Sequence, residues 1–320
     1  MSPINTLIFG ATGNVGSSAA YAAKEQGANV FLAVRDLTKP LPNLTLEQEA
    51  LEGFTRVQAD LTKPDTLVAA VAATKATRAF VYLAFGTPDS MKSSFEALKS
   101  AGVEFVVFLS TSGIRGDPRG VAPGAITFWT HAQVELRLEE TFGKGGYVAI
   151  RPAFFATNSL WWKGMIEAGD VRLPYPQSIN DALVPHDIGR VAGSVLARGP
   201  TVIDSLEGED GKYNAIRLYG PQLLSLEEEV SLIAKAAGKE TKVTTVGEDE
   251  FVGFMTNFVP EPIARDMVAG FKSTAGLGEE EDSFYAESEF KEASANVEKY
   301  SGKPPTTFGE WVEENKVLFK

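Results

Sequence analysis

Short apolar runs alternate with amphipathic stretches along the first half of the chain. The runs are rich in β-branched and aromatic residues, which favour strands, and most are apolar at nearly every position. Strands of this kind are typical of a parallel sheet with both faces covered. We predict strands over residues 6–9, 29–34, 54–60, 78–85, 104–111 and 147–152.

The stretches between these strands have helical spacing. Val15, Ala19 and Ala22 fall on one face of a helix over 14–27, and Gly27 is its predicted C-cap. Strands alternating with helices through right-handed crossovers give an α/β fold with a doubly wound parallel sheet, the Rossmann architecture. The other helices of this half are predicted over residues 62–73, 89–103 and 129–143.

After Pro152 the alternation loosens, and we predict a Rossmann domain over 1–152 followed by a smaller α+β domain over 153–320. Parts of the second domain, at about 181–198 and 213–220, are expected to pack back on the sheet. The acidic run EEED at 279–282 is typical of a solvated loop. Helices are predicted here over residues 185–197, 224–238 and 307–319, and a strand over 213–220.

Three glycines, Gly10, Gly13 and Gly16, follow the first predicted strand. Gly10 permits a tight turn, Gly13 has no Cβ to block a close ligand, and Gly16 lets the next helix approach the strand. The N–H groups and positive dipole end of that helix would then face a phosphate. In this context the motif predicts a dinucleotide site, which also includes Thr12, Asn14 and Val15.

The end of the second strand indicates which dinucleotide binds. NAD sites commonly have a carboxylate at this point for the ribose 2′-hydroxyl, whereas an arginine suits the 2′-phosphate of NADP. Arg35 stands there, and Lys39 is near enough to add positive charge. Asp36 follows directly and works against this assignment. We predict NADP(H) as the cofactor.

The composition excludes several functions. A formal net charge of −12 argues against a nucleic-acid partner, which would need a basic surface. Without cysteine, the chain has no disulfide, thiolate nucleophile or thiolate metal ligand, and we predict no metal site. The start lacks a secretory pattern, and no apolar run reaches the roughly 18 residues of a membrane span. We expect a cytoplasmic protein with no membrane partner.

Several segments resemble the NmrA-like, atypical short-chain dehydrogenase/reductase family, which includes isoflavone-reductase-like enzymes. The resemblance extends over nearly the whole chain. It is carried by GATGNVG at 10–16, VRD at 34–36, ADLTKPDTL at 59–67, GVEFVVFLSTSG at 102–113 and IRPAFFATN at 150–158.

The resemblance implies positions for the cofactor. Asp60 and Leu61 are expected to flank the adenine, and Ser110 and Thr111 to lie beside the nicotinamide ribose. The remaining expected contacts are Ala84, Phe85 and Gly86 along the cleft, Pro152, Phe154 and Phe155 near the nicotinamide ring, and Asn158 toward the substrate.

The sequence departs from the wider superfamily in its catalytic pair. Reductases of that superfamily use a tyrosine and a lysine four residues apart, and none of the eight tyrosines here has a lysine at that spacing. Alignment on Val134 and Glu135 puts His131 at the lysine position and Thr127 at the tyrosine position. An imidazole can act as a general acid near neutral pH, although a histidine on a half-buried helix often only packs.

Other side chains are candidates for contacts with a substrate. The hydroxyls of Thr111 and Ser112 are able to donate a hydrogen bond to a substrate carbonyl, whereas His186 is expected to order a loop. An aromatic set either lines an apolar pocket for a small, ring-containing substrate or forms an ordinary interdomain core. Its members are Phe85, Phe154, Phe155, Trp161, Trp162 and Tyr175.

Three functions follow from these observations. The first is an NADPH-dependent oxidoreductase acting on a small, largely apolar carbonyl, enone or imine in secondary metabolism. The second is a redox-sensing regulator that binds NADP(H) and a protein partner without turnover. The third is an isomerase or cyclase on the same scaffold.

Overall fold

The computed structural model describes residues 3–39, 41, 45–277 and 285–320, so the acidic run at 279–282 lies outside the described residues. Within them the strands are β1 (Asn5–Phe9), β2 (Asn29–Val34), β3 (Thr55–Gln58), β4 (Arg78–Tyr82), β5 (Phe105–Leu109), β6 (Tyr147–Pro152), β7 (Asp170–Leu173), β8 (Ile179–Asn180), β9 (Ala215–Leu218), β10 (Leu224–Ser225) and β11 (Lys242–Thr245).

Thirteen α-helices lie between and after these strands in the described part. They are α1 (Asn14–Glu25), α2 (Leu46–Leu51), α3 (Pro64–Thr74), α4 (Lys92–Ala101), α5 (Ile126–Phe142), α6 (Lys163–Ala168), α7 (Pro185–Arg198), α8 (Gly208–Gly211), α9 (Leu226–Ala237), α10 (Glu248–Met255), α11 (Glu261–Lys272), α12 (Glu287–Ser301) and α13 (Phe308–Asn315).

The central sheet has seven strands in the order β3-β2-β1-β4-β5-β6-β9, and every neighbouring pair is parallel. The direction of strand addition reverses between β1 and β4. An open sheet of this kind leaves a crevice at the carboxyl ends of the strands, at the reversal point. The predicted α/β fold with a doubly wound parallel sheet is confirmed.

Both faces of the sheet are buried because successive side chains of each strand point to opposite sides. Ile8 belongs to the core beneath α1 and α7, whereas Leu7 and Phe9 belong to the core beneath α3, α4 and α5. All three side chains are at most 2% exposed. This double burial explains why the strands are apolar at nearly every position.

The chain after Pro152 forms a separate apolar core and also returns to the sheet. The separate core surrounds Trp162, Phe251 and Met255, beside the short pairs β7–β11 and β8–β10. Helix α7 packs against α1, and β9 pairs with β6. The second part of the chain therefore contributes a helix on one face of the sheet, the last strand of the sheet and a separate core.

Two glycines of α7 allow its close contact with α1. A Cβ at Gly189 would lie 2.4 Å from the carbonyl oxygen of Val15, and one at Gly193 would lie 2.3 Å from that of Ala19. These backbone atoms cannot give way as a flexible side chain can. The two helices therefore pack backbone to backbone along this line.

We expect Gly193→Ala to lower the free energy of unfolding by about 1–3 kcal/mol, the usual cost of overpacking a close contact. Denaturant titration measures this change. Gly253→Ala in α10 is the matched control, because no atom lies within 4 Å of its added Cβ. That control should be neutral or stabilising by up to about 1 kcal/mol, from helix propensity alone. Equal effects of the two substitutions would contradict the close packing of α1 on α7.

Candidate functional site

The loop after β1 has the three glycine roles that its spacing predicts. Gly10 has φ +71°, and a Cβ there would meet the Tyr82 ring at 2.9 Å. A Cβ at Gly16 would lie 2.2 Å from the carbonyl oxygen of Gly10, so helix α1 packs directly on the turn. Gly13 is exposed, and its nearest neighbour is the Gly10 oxygen at 3.4 Å. The loop is therefore tight on its inner side and open on its outer side.

Helix α1 begins on this loop with free backbone donors. Gly13 is the N-cap residue and supplies no side-chain cap. The N–H groups of Asn14, Val15 and Gly16 in the first turn consequently have no acceptor within the helix. Asn14 is exposed and Thr12 is half-buried beside them. A phosphate is the ligand that such a helix start binds best.

Two cations stand where β2 ends. The side chains of Arg35 and Lys39 are exposed, and neither forms a salt bridge within the described part of the chain. The Asp36 carboxylate instead turns toward Thr38 and accepts bonds from its hydroxyl at 2.6 Å and its N–H at 2.8 Å. These two bonds lower the pKa of Asp36. Asp36 is thus held in a local turn, and the two cations remain available to a ligand.

A buried ion pair supports the segment that carries these cations, and the sequence analysis missed it. Glu49 pairs with Arg56 through contacts of 2.6 and 2.7 Å, and the Glu49 side chain is only 3% exposed. Arg56 also donates to the carbonyl of Leu37 at 2.9 Å, while Glu49 accepts from the N–H of Leu41 at the same distance. The Glu49 carboxylate, at the fourth residue of the short helix α2, thereby anchors Leu41 directly and Leu37 through Arg56.

Asp60 and Leu61 follow β3 at the same edge of the sheet. Asp60 accepts bonds from the N–H and hydroxyl of Thr62, at 2.9 and 2.8 Å. The side chain of Leu61 is 3% exposed and belongs to the core, and its carbonyl accepts from the Ser94 hydroxyl at 2.6 Å. The Asp60 side chain is thus partly exposed at this edge, whereas the Leu61 side chain is enclosed.

The end of β4 lies next to the glycine loop, and the end of β5 lies beside that of β4. Ala84 is buried, but the Phe85 ring is 72% exposed, directly before Gly86 with φ +88°. After β5, Thr111 is half-buried, whereas Ser112 is only 1% exposed and donates its N–H to the Pro152 carbonyl at 2.9 Å. Of the two predicted hydroxyl donors, Thr111 is the more accessible.

Ser110, between these residues and β5, lies on a buried charge network. Its hydroxyl donates to Glu135 of α5 at 2.5 Å, and Glu135 pairs with Arg151 of β6 at 2.7 Å. Neither charged side chain has any exposed surface. Arg151 also pairs with Asp210 at 2.5 Å, and Asp210 lies 2.8 Å from Arg217 of β9. The network joins the end of β5 to the last strand of the sheet.

His131 lies one turn before Glu135 on α5 and is half-buried, with its ring 6.2 Å from that of Phe108. Its Nδ1 lies 2.8 Å from the carbonyl oxygen of Thr127. Since a carbonyl only accepts, Nδ1 must carry the proton. Burial lowers the pKa of His131 below 6.5. The imidazole is therefore neutral at pH 7, and its Nε2 is an acceptor rather than an acid.

The segment after β6 runs alongside this cluster. Phe154 and Phe155 are half-buried, as is Asn158. Asp181, completely enclosed, accepts from the N–H of Phe154 at 3.0 Å and from the hydroxyl of Tyr285 at 2.8 Å. Burial raises the pKa of Asp181 to about 6, against the effect of these bonds. A buried aspartate thus holds the backbone of the predicted nicotinamide-side segment.

The members of the predicted aromatic set differ in their exposure. Trp161 is half-buried, 6.4 Å from Phe154, and Tyr175 is half-buried with its hydroxyl bonded to Glu248. Trp162, in contrast, has no exposed surface and packs 5.8 Å from Phe251 in the second core. The prediction that Trp162 lines a pocket is therefore corrected: it is a core residue, because its neighbours enclose it fully.

The parallel strands bring most of the predicted residues to one edge of the sheet. His186 is expected to order a loop, but it lies in the first turn of α7. Its Nδ1 is 3.0 Å from the Ser18 hydroxyl of α1, so it joins two helices instead. Among the described residues, no cluster of histidine and acidic side chains is arranged to hold a metal ion. None of the described helices combines the length and apolarity needed to cross a bilayer.

Comparisons with known proteins agree with this architecture. The model of the NmrA-like family matches residues 5–312. The nitrogen metabolite regulation-like protein bik4 of Gibberella fujikuroi is 36% identical, with 96% of this chain and 95% of that protein covered.

Two solved structures have the same fold. The NADPH-dependent quinone oxidoreductase QOR2 of Escherichia coli, complexed with NADPH, gives a TM-score of 0.69 at 19% identity, covering 98% of this chain and 99% of its own. NmrA, a negative transcriptional regulator in complex with NADP, gives 0.67 at 16% identity, covering 99% and 97%.

The protonation of His131 is directly measurable. We expect its NMR titration midpoint below 6.5, with the proton of the neutral ring on Nδ1. Because the fold disfavours the charged ring, the stability that His131 contributes is complete above the unfolded-state pKa of about 6.5. It decreases as the pH falls below that value and is lost once the pH is below the folded midpoint. His186→Asn assigns the signals of the two histidines. A midpoint at or above the ordinary value, or a proton on Nε2, would refute this description.

Proposed function

The chain belongs to the NmrA-like family, and from this premise we propose that it is an NADPH-dependent reductase of a small, largely apolar carbonyl, enone or imine. The observation that carries the proposal is the set of groups at the carboxyl edge of the sheet. Free helix donors, an exposed phenyl ring, and two exposed cations without a salt bridge among the described residues stand on neighbouring strand ends. These groups match the diphosphate, the 2′-phosphate and a flat apolar ligand.

The residues present fit NADP(H). The N–H groups at the start of α1 would hold the diphosphate, because the absent Cβ of Gly13 leaves the loop open to it. Arg35 and Lys39 would bind the 2′-phosphate, with Asp36 held away from it by Thr38. The QOR2 structure contains NADPH, and NmrA structures contain NADP or NAD, which supports a nicotinamide dinucleotide at this loop.

The chemistry assigned to the side chains is the positioning of the substrate against the cofactor. NADPH supplies a hydride when bound. Phe85, Phe154 and Trp161 provide apolar surface for a ring-containing substrate. Nε2 of the neutral His131 has no proton to donate, and the hydroxyl of Thr111 only polarises a carbonyl. We therefore infer that the reduced substrate takes its proton from water, as a stabilised anion is able to do.

A second candidate is a regulator that binds NADP(H) and a protein partner without turnover. Two observations favour it: the 36% identity to a nitrogen metabolite regulation-like protein and the neutral, acceptor state of His131. A protein that only binds the cofactor needs the same dinucleotide-binding site but no proton donor. Both functions share the dinucleotide site and differ only in the use of the cleft beside it.

We expect Arg35→Ala to weaken NADPH binding about tenfold to hundredfold, the range for hydrogen bonds to charged groups, and to leave NADH binding nearly unchanged. Isothermal titration measures both affinities. Arg172→Ala is the matched control, an exposed arginine in β7 that pairs with Glu250 at 2.5 Å. Equal losses for the two nucleotides would refute the assignment of Arg35 to the 2′-phosphate.

Turnover separates the two functions. We expect the purified protein to oxidise NADPH in the presence of apolar quinones, enones or imines. The loss of reduced-nicotinamide absorbance measures this oxidation. Phe85→Ala should raise KM more than it changes kcat, because the ring contributes binding surface and no proton. Micromolar NADPH binding with no oxidation across the panel would favour the regulator instead.

A further inference from the structure

A cavity of about 490 Å³ lies where α1, the start of α7 and the C-terminal helix α13 meet. Helix α1 lines it with residues at helical spacing along one flank, which are Asn14, Ser17, Ser18 and Tyr21. The N–H groups that would hold a diphosphate are at the end of this helix, so the cavity extends well beyond the dinucleotide loop. Its volume is typical of sites for small organic ligands.

Several polar groups that line this cavity already use their donors inside the protein. The hydroxyls of Ser17 and Ser18 both donate to the Asn14 carbonyl, at 3.1 and 2.9 Å. The Asn315 amide donates to the Trp311 carbonyl at 2.8 Å. These side chains therefore present mainly lone pairs to the cavity. Two lining hydroxyls remain able to donate as well as accept, those of Tyr21 and Thr157.

His186, at the start of α7, adds another acceptor to the lining. Its Nδ1 lies 3.0 Å from the Ser18 hydroxyl, whose own proton is directed at the Asn14 carbonyl. We therefore place the proton of the ring on Nδ1, which leaves Nε2 as an acceptor. Burial, and then the charge of Arg190, lowers the pKa of His186 below 6.5. The ring is consequently neutral at pH 7.

The lining carries a net negative charge. Glu314 of α13 is its one ionised member, and this exposed carboxylate forms no salt bridge within the described part of the chain. Two nearby cations, Arg190 and Lys303, are instead paired with Asp187 and Glu25. The Asp187 carboxylate also lies in the first turn of α7, where it offsets the positive end of that helix dipole.

Apolar side chains complete the wall, namely Leu160, Trp311 and Leu318. A matching ligand needs N–H donors, a positive charge and a hydrocarbon part. We propose that the cavity binds an organic ammonium ion with an apolar body, with Glu314 as its counter-ion and Nε2 of His186 as a second acceptor. The net charge of −12 on the chain favours the approach of such a cation. This site is separate from the proposed reduction and functions whether or not NADP(H) is bound.

Three ligands of equal size and different charge test the preference for a cation. Titration calorimetry on protein without nucleotide, at about pH 7, compares phenylbutylammonium, phenylbutanol and phenylbutanoate. We expect the ammonium ion to bind about threefold to tenfold more tightly than the alcohol, and the carboxylate to bind most weakly. Equal affinities, tightest binding of the carboxylate, or no binding of the ammonium ion would overturn the proposal.

Substitution of Glu314 tests its role as the counter-ion. Glu314→Gln should weaken the ammonium ion about threefold to tenfold, between the values for an exposed ion pair and for a hydrogen bond to a charged group, and should leave phenylbutanol unchanged. Glu313→Gln is the matched control, because Glu313 pairs with Lys316 at 3.1 Å and does not line the cavity. Equal losses in the two variants, or no loss in either, would overturn the proposal.

A lysine placed in the wall gives an independent test. Leu318, 41% exposed, lines the cavity, whereas its neighbour Val317, 69% exposed, does not. Leu318→Lys should weaken the ammonium ion roughly tenfold and strengthen phenylbutanoate, because like charges repel at short range. Val317→Lys adds the same charge outside the cavity and should change both affinities less than about twofold. Equal ammonium affinities of the two lysine variants would show that the cavity is not the binding site.

Discussion

The close approach of three backbone segments is the constraint on which the rest of the structure depends. Gly16 brings the start of α1 within contact of the Gly10 carbonyl, while Gly189 and Gly193 bring α7 against the other side of α1. Helix α1 is thereby fixed between the turn and α7, so that its free N–H groups point to one place. Any side chain at these positions would push the helix outward and move the positive end of its dipole away from the loop.

A second constraint is the buried charge network beneath β5 and β6. Its core pair, Glu135 and Arg151, is wholly enclosed and continues through Asp210 to Arg217. Removing one member of such a pair leaves a buried charge without a partner, which costs far more than the pair contributes. The network therefore gives rigidity and orientation to the loop after Ser110 rather than large net stability. It also ties the second part of the chain to the first.

The sequence predicts the fold because its signals are local and consistent. The apolar strands, the glycine loop and the positions of Gly10, Gly13 and Gly16 each indicate the same strand–loop–helix unit, and the structure contains it. Arg151, by contrast, is a lone charge inside an apolar strand. A charge in this position indicates a buried carboxylate partner. The sequence does not show which acidic residue is that partner, because Glu135 lies on a different element and contacts Arg151 only in the folded chain.

The candidate site was predictable to the level of strand ends and no further. Which side chains face the cleft depends on tertiary packing: Trp162 is enclosed while Trp161 is not, although they are neighbours in the sequence. The state of His131 depends on a helix carbonyl four residues earlier and on burial, and a sequence pattern reports neither. Short second-domain strands such as β8 and β10, with two residues each, carry no pattern to detect.

One exposed ring has a thermodynamic consequence. With 72% of its surface in contact with water, Phe85 keeps a hydration shell that a flat ligand would displace. Release of that shell lowers the heat capacity of the complex relative to its separated components. Association at this cleft should accordingly grow more exothermic on warming, a signature that belongs to the apolar wall and not to the phosphate-binding loop.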